Sequence, residues 1–282
     1  MLRILEVVGL VTVQDAGRPG YAHLGLPRSG WLDASAAALA NRLVGNGPSA
    51  AVLELSLGSM IARAERPTWV AVTGAHSRVR VDRRVVAFGE PVRVPAGGMI
   101  RVDLPVTGVR AYLAVAGGID VDPVLGSRAT DTLAWVGPPA VTSGQTLPVG
   151  AQVGEPHPLD TPRAPVAGAL RLLPGPRADW FEGDPVGLLV AGPWVVAADS
   201  NRVGLRLEGP ALRRNPAYEG RELASEGMVL GAVQVPPSGQ PVVFLADHPV
   251  TGGYPVAAVV RAEDLWVCAQ VRPGEAVRFR RG

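Results

Sequence analysis

The sequence predicts a mainly β protein of the barrel or sandwich type with one clear helix, and three observations carry that prediction. Apolar residues recur with period two or in continuous runs of roughly four to seven, the lengths and patterns of strands. The 35 Gly and 27 Pro fall singly or in pairs between those runs, as turns punctuate many short strands. A polar, proline-rich stretch over residues 154–167 has no apolar periodicity and too many prolines for a hydrogen-bonded ladder, so it reads as a linker in the 282-residue chain. The expected organisation is an N-terminal β domain over residues 1–153, that linker, and a C-terminal β domain over residues 168–282.

In Met1 to Val13, Glu6 interrupts the apolar run and no small-residue cleavage site follows, so the segment is expected to be no signal peptide and reads as the first strand. The helix opens at Asp33, whose carboxylate is placed to cap free backbone amides, runs through an alanine-rich segment to Leu43 and stops at Gly45. The further strand segments are Ala51 to Leu57, Trp69 to Thr73, Arg78 to Val81, Val92 to Val94, Ile100 to Leu104 and Arg110 to Val115. Beyond the linker come Ala169 to Leu173, Val203 to Leu207, Val242 to Leu245, Val256 to Val260 and Glu275 to Phe279. Leu265 to Ala269, which carries the single Cys268, also reads as strand-like. The apolar stretch Val186 to Ala198 is broken by Gly187, Gly192 and Pro193 and falls short of the roughly 20 residues that span a bilayer, so a cytoplasmic protein is expected, with no membrane partner.

All 27 basic residues are arginine. Without lysine the chain cannot form a Schiff base, carry biotin or lipoate on a side chain, or complete a Walker loop. One cysteine makes no internal disulfide and no cysteine zinc site. His23, His76, His157 and His248 are widely spaced, so no metal site is expected. Arginine pairs such as Arg83-Arg84 lack interleaved aromatics, which argues against a nucleic-acid partner. No Gly-x-Ser-x-Gly elbow occurs.

Three glycine-punctuated loops concentrate the remaining chemistry. The first runs from Gln14 through Asp15, Arg18 and Tyr21 to Arg28, Ser29 and Gly30. Its arginines can grip a carboxylate or phosphate, or Asp15 and Arg18 can simply staple an ordinary turn. The second, Ser200 to Gly209, places Asn201, Arg202, Arg206 and Glu208 so that the last three would share one strand face, either an anion row or a solvated side. The third joins Glu226, Gln234 and Ser238 to Asp247-His248-Pro249-Val250-Thr251-Gly252-Gly253-Tyr254. Asp247 follows an apolar strand directly, as a candidate acid or base or as a turn-capping residue.

Taken together, these loops resemble the family of KipA, of the second subunit of allophanate hydrolase and of the C-type component of 5-oxoprolinase (PxpC), also called biotin-dependent carboxyltransferase-like proteins. Further segments carry the resemblance: Ala71-Val72-Thr73-Gly74-Ala75, Tyr112 to Asp120 and Val124 to Asp131. The resemblance implies two cyclophilin-like β-barrel domains. It also implies an ATP-dependent 5-oxoprolinase, in which this chain opens the lactam of 5-oxoproline to glutamate with a KipI-like subunit and a third subunit of LamB/YcsF type. ATP with Mg would be shared with those partners, and no biotin would be carried on this chain. Asp247, Asp15 and Glu226 are the expected proton-moving carboxylates, since arginine is no base at neutral pH. The substrate would meet Arg18, Tyr21, Arg28, Ser29, Asn201, Arg202, Arg206, Gln234, Ser238, Thr251, Gly252, Gly253 and Tyr254. The family commonly reads Asp-Arg-Gln-x-Thr-Gly-Gly-Tyr-Pro-Lys, where this chain has His248, Pro249 and Val256, so two familiar cations are missing. A non-catalytic KipI-binding regulator and a carboxyltransferase half-site of a urea carboxylase or allophanate-type system are the other functions that the resemblance allows.

Overall fold

The computed structural model describes residues 1–158 and 168–282. Part of the proline-rich linker, residues 159–167, lies outside the described residues. The chain forms two compact units, and neither is one continuous stretch. The first holds Met1–Arg18, Ser29–Asp131 and residues 135–158; the second holds Pro19–Arg28, Thr132–Ala134 and residues 168–282. Each is built on a nearly closed, barrel-like sheet, so the protein is mainly β.

The first unit contains β1 (Leu2–Gln14), β2 (Val52–Ala64), β3 (Thr68–His76), β4 (Val79–Val81), β5 (Arg84–Val86), β6 (Val92–Val94), β7 (Met99–Val102), β8 (Thr107–Val115) and β9 (Thr146–Leu147). The sheet runs β5-β4-β7-β2-β8-β3-β6, and β1 joins β2 to β9. Its longest pairing is antiparallel β1–β2, from Leu2↔Ala64 to Gln14↔Val52, with register shifts at Ile4/Glu6 and Val8/Leu10. At the second shift Gly9 adopts φ +77°, where a Cβ would lie 2.8 Å from the Leu57 carbonyl oxygen and 2.9 Å from Gly58 Cα. A bulge in so tight a crossing requires glycine.

Alternation in β7, where Ile100 and Val102 are buried and Met99 and Arg101 exposed, gives one wet face. In β8, by contrast, Val109 to Val115 are all buried, because one face meets the barrel interior and the other meets a helix. That helix, α1 (Ala34–Leu43), starts where Asp33 Oδ1 accepts a 3.0 Å bond from the Ala36 N–H. Ala37, Ala40 and Leu43 pack on Val52, Ala71, Tyr112 and Ala114, and the alanines permit the close approach.

The second unit contains β10 (Leu170–Pro174), β11 (Trp194–Val196), β12 (Gly204–Glu208), β13 (Glu226–Gly227), β14 (Ala232–Gln234), β15 (Val242–Phe244), β16 (Thr251–Gly252), β17 (Val256–Val260), β18 (Ala276–Val277) and β19 (Phe279–Arg281). Eight strands run β18-β11-β12-β15-β14-β17-β10-β19, with β10 and β19 parallel, and β13 pairs β16 apart from them.

Two short helices extend the single one read from the sequence. α2 (Pro185–Ala191) is capped by Asp184, which accepts from the Val186 N–H, and begins with proline at its first turn. α3 (Leu265–Gln270) corrects the strand reading of the Cys268 segment: the run is helical, with Leu265, Val267, Cys268 and Ala269 buried, so its continuous apolar stretch carried no period to mark it. No helix among the described residues is long and apolar enough to cross a membrane.

The bulge gives a matched test. Gly97 also has positive φ, +75°, but open space around its would-be Cβ. Gly9→Ala should lower unfolding free energy by about 2–3 kcal/mol and Gly97→Ala by about 1 kcal/mol, measured by denaturant titration. Equal losses would show that the β1–β2 crossing is not limited by backbone contact.

Candidate functional site

In the first unit, Asp15 follows directly on β1 and organises the loops around it. Its Oδ1 accepts from the Gly17 N–H at 2.8 Å and from Ser127 Oγ at 2.6 Å, while Oδ2 accepts from the Arg128 N–H at 2.6 Å. The strand-end residue thus ties residues 15–17 to residues 127–128, which are remote in sequence. Ser29 to Trp31 close on the same backbone: the Trp31 N–H donates to the Asp15 carbonyl oxygen at 3.1 Å and Trp31 Nε1 to the Gln14 carbonyl oxygen at 2.9 Å. Gly30, at φ +85°, passes so near that a Cβ would sit 2.8 Å from the Gly17 nitrogen. Ser29 itself takes a left-handed φ of +54° and is buried.

Arg18 is 1% exposed. Its Nη2 donates to the Ala129 carbonyl oxygen, while Nε and Nη1 are buried without a hydrogen-bond partner among the described residues, as is Ser29 Oγ. The sequence alternative of an Asp15–Arg18 staple is not what forms: Asp15 pairs with backbone N–H groups and Ser127 instead. Behind this loop lies a buried set that the sequence reading missed. Tyr112 Oη accepts from the Asp33 N–H at 2.8 Å, and Arg110 Nε stands 3.7 Å from Glu54 Oε1. Burial, then the nearby Glu54 and Asp33 charges, push the Tyr112 hydroxyl well above its usual pKa. The alternation of Arg110 and Tyr112 along β8 was the available signal.

In the second unit, Asp247 is fully buried and takes a two-pronged pair from Arg202, Nε to Oδ2 at 2.9 Å and Nη2 to Oδ1 at 3.2 Å. Thr132 adds its N–H at 3.0 Å and its hydroxyl at 2.7 Å, both to Oδ2. Burial works to raise the Asp247 pKa, but the Arg202 charge and hydrogen bonds together with Thr132 outweigh it and hold the carboxyl below the usual range. Next to it, His248 bonds the Pro249 carbonyl oxygen through Nδ1 at 2.8 Å and stacks on Phe244. Burial lowers its pKa, which favours neutral imidazole.

Glu226 lies in β13 and pairs with Arg177, a residue not singled out from the sequence. That hydrogen-bonded guanidinium holds the Glu226 carboxyl below its ordinary pKa. Gln234 is buried; its Nε2 donates to the Tyr254 carbonyl oxygen at 3.2 Å, and a Cβ on Gly252 would stand 2.6 Å from that same nitrogen. Thr251 and Tyr254 are exposed on this turn and Gly253 is half-buried.

The other sequence candidates are dispersed. Arg202 precedes β12 and is buried, whereas Arg206 is half-exposed beside Asp199 and Glu208 is exposed, so the expected three-residue row on one strand face does not form. Asn201 Oδ1 accepts from the Val203 and Gly204 N–H groups and builds its own turn. Ser238 is exposed and bonds the Gln240 N–H, Arg28 is exposed, and the half-buried Tyr21 ring stands over His23. All three carboxylates named from the sequence are therefore engaged, Asp15 by N–H and hydroxyl donors and the other two by arginine.

Breaking the Asp247–Arg202 pair leaves a buried charge, so Asp247→Asn should destabilise the protein by about 3–5 kcal/mol at pH 7. Because the folded-state pKa is depressed, this stabilisation is present above the unfolded value of about 3.9 and is lost as pH falls through the folded value. Denaturant titrations from pH 7 to pH 3 should show a constant difference from wild type down to about pH 4 that shrinks below it. A difference that grows toward acid would contradict the ion pair.

Comparison with known proteins gives this geometry its context. The family description "Carboxyltransferase domain, subdomain A and B" matches residues 24–281. The chain is 38% identical to the C-type component of 5-oxoprolinase from Escherichia coli (strain K12), over 99% of this chain and 90% of that protein. It is 33% identical to the urea amidolyase of Lachancea kluyveri over 95% of this chain but 16% of that much longer protein. The crystal structure of TTHA0988 superposes with a TM-score of 0.88 at 40% identity, covering 99% of this chain and 55% of that one. With a match along nearly its whole length and the same fold in a solved relative, this chain belongs to the carboxyltransferase domain, subdomain A and B, family.

Proposed function

We propose that this chain is one subunit of a multi-component, ATP-dependent 5-oxoprolinase that acts in the cytoplasm with a KipI-like subunit and a LamB/YcsF-type subunit. The observation that carries the reading is its 38% identity to the C-type component of 5-oxoprolinase over 90% of that protein. The two loop clusters suit the chemistry. Activating a lactam carbonyl develops negative charge on oxygen, and arginine, hydroxyl and backbone N–H donors stabilise such charge when fixed in place beforehand. In this reading the first-unit loop, with Arg18 and Ser29, and the second-unit turn, with Gln234 and Thr251 to Tyr254, meet ligand or partner surfaces. Asp15, Asp247 and Glu226 position those loops through the bonds described above, and a proton-carrying role is assigned to none of them alone.

The donor set bears on the nucleotide. Among the described residues no three His, Cys, Asp or Glu side chains gather into a metal-binding group, and the chain has no lysine for a phosphate. ATP and Mg are therefore assigned to surfaces that the companion subunits complete. A second reading, the carboxyltransferase half of a urea carboxylase, is favoured by the 33% identity to urea amidolyase. It requires biotin on another polypeptide, because this chain has no lysine to carry it.

Reconstitution separates the two. The chain mixed with both companion subunits should release glutamate from 5-oxoproline with matching ATP hydrolysis, and omission of any component should abolish both. Absence of glutamate from every combination, with carboxyl transfer from a carboxylated biotin carrier to urea, would replace the first reading by the second.

A further inference from the structure

We infer that the buried guanidinium of Arg18 is the anchor of a small monoanionic carboxylate, held in the first unit by Arg18 together with Ser29. A cation removed from water is costly unless it is paired and its donors are satisfied. Arg18 is 1% exposed, yet its hydrogen bond among the described residues goes to a neutral acceptor, the Ala129 carbonyl oxygen, and its Nε and Nη1 donors have no partner there. The adjacent acid does not answer it, because Asp15 is taken up by Gly17, Ser127 and Arg128 backbone and hydroxyl donors.

Ser29 is the second, independent sign. It is 5% exposed, holds a left-handed φ of +54°, and its Oγ is buried without a partner among the described residues. Both residues belong to one cluster, since Ser29 leads into Gly30 and Trp31, which close on the backbone of Asp15 to Gly17, immediately before Arg18. Strain of this kind in a non-glycine residue persists where surrounding structure enforces it, and it concentrates at ligand sites. The Gly137 backbone approaches so near that a Cβ there would lie 2.9 Å from Arg18 Nη2, which leaves the anchor small.

Charge selects the ligand class. One guanidinium with a neutral hydroxyl balances one negative charge, so a dianion would leave its second charge buried without compensation. A planar carboxylate matches the flat fork of donors that guanidinium presents. The anchor stands on these residues alone; only the choice of 5-oxoproline as a probe rests on the oxoprolinase reading.

The test is thermal denaturation of the full chain against acetate, 5-oxoproline, the uncharged carboxamide of 5-oxoproline, and inorganic phosphate, at fixed ionic strength. Acetate or 5-oxoproline should raise Tm by roughly 3 °C or more at saturation, with the carboxamide inert and phosphate weaker. Arg18→Met should weaken carboxylate binding roughly 100-fold, and Ser29→Ala roughly fivefold. The ligand-free Arg18→Met protein should melt at or above the wild-type temperature, because an unpaired buried cation has been removed; a merely structural arginine would instead lower it. Ser29→Ala keeps the guanidinium and so reports on the anchor even where Arg18→Met fails to fold. Stabilisation by acetate but not 5-oxoproline, lost in either variant, would uphold the anchor and count against the lactam substrate. No carboxylate effect on wild type, or an effect unchanged in both variants, overturns the proposal.

Discussion

Buried carboxylates that accept hydrogen bonds hold the loops of this protein in place, and its candidate chemistry depends on them. Asp15 gathers Gly17, Ser127 and Arg128; Asp247 gathers Arg202 and Thr132; Asp33 starts α1. Asp15, through Ser127 and Arg128, and Asp247, through Thr132, join segments that no strand pairing connects. Hydrogen bonds to a charged acceptor contribute about 1.5–3 kcal/mol, more than neutral ones, so a few well-placed aspartates can offset the ordering cost of long irregular loops.

Glycine works beside the aspartates at points of closest approach. Gly30 lies against the Asp15–Gly17 backbone, and Gly137 against the Ala129 backbone and the Arg18 guanidinium, approaches that a side chain at either glycine would block. A rigid barrel underneath, with Val13, Leu53 and Leu113 buried on neighbouring strands, fixes where β1 ends and hence where Asp15 stands. Loop placement is thus set by core packing, and donor direction by the carboxylates.

The longer strands were legible because burial writes itself into sequence with period two, as β7 and β12 alternate and the continuous run in β8 marks a strand covered on both faces. By contrast β5, β9, β11, β13, β14 and β16, of two or three residues each, are too short to show a period and were not read. The Asp33 cap and the alanine run made α1 readable. α3 was misread because six residues hold fewer than two helical turns, too few for period 3.6 to stand out against a continuous apolar stretch. The candidate site was legible as loops but not as partners. Nothing local in sequence pairs Asp247 with Thr132, Asp15 with Ser127 or Glu226 with Arg177, since each pairing is made by the fold across many intervening residues. His248 finds a local explanation: the imidazole is buried, stacked on Phe244 and bonded to the Pro249 carbonyl oxygen, and burial disfavours its charged form.

The parallel pairing of β10 with β19 has a consequence for how the chain acquires its shape. Leu170 waits for Phe279, which leaves the ribosome roughly a hundred residues later, and at about 5–20 residues per second that is a delay of several seconds. Until then β10 has no partner on that side and presents an open edge of the kind that invites edge-to-edge association, so completing synthesis is also what closes it.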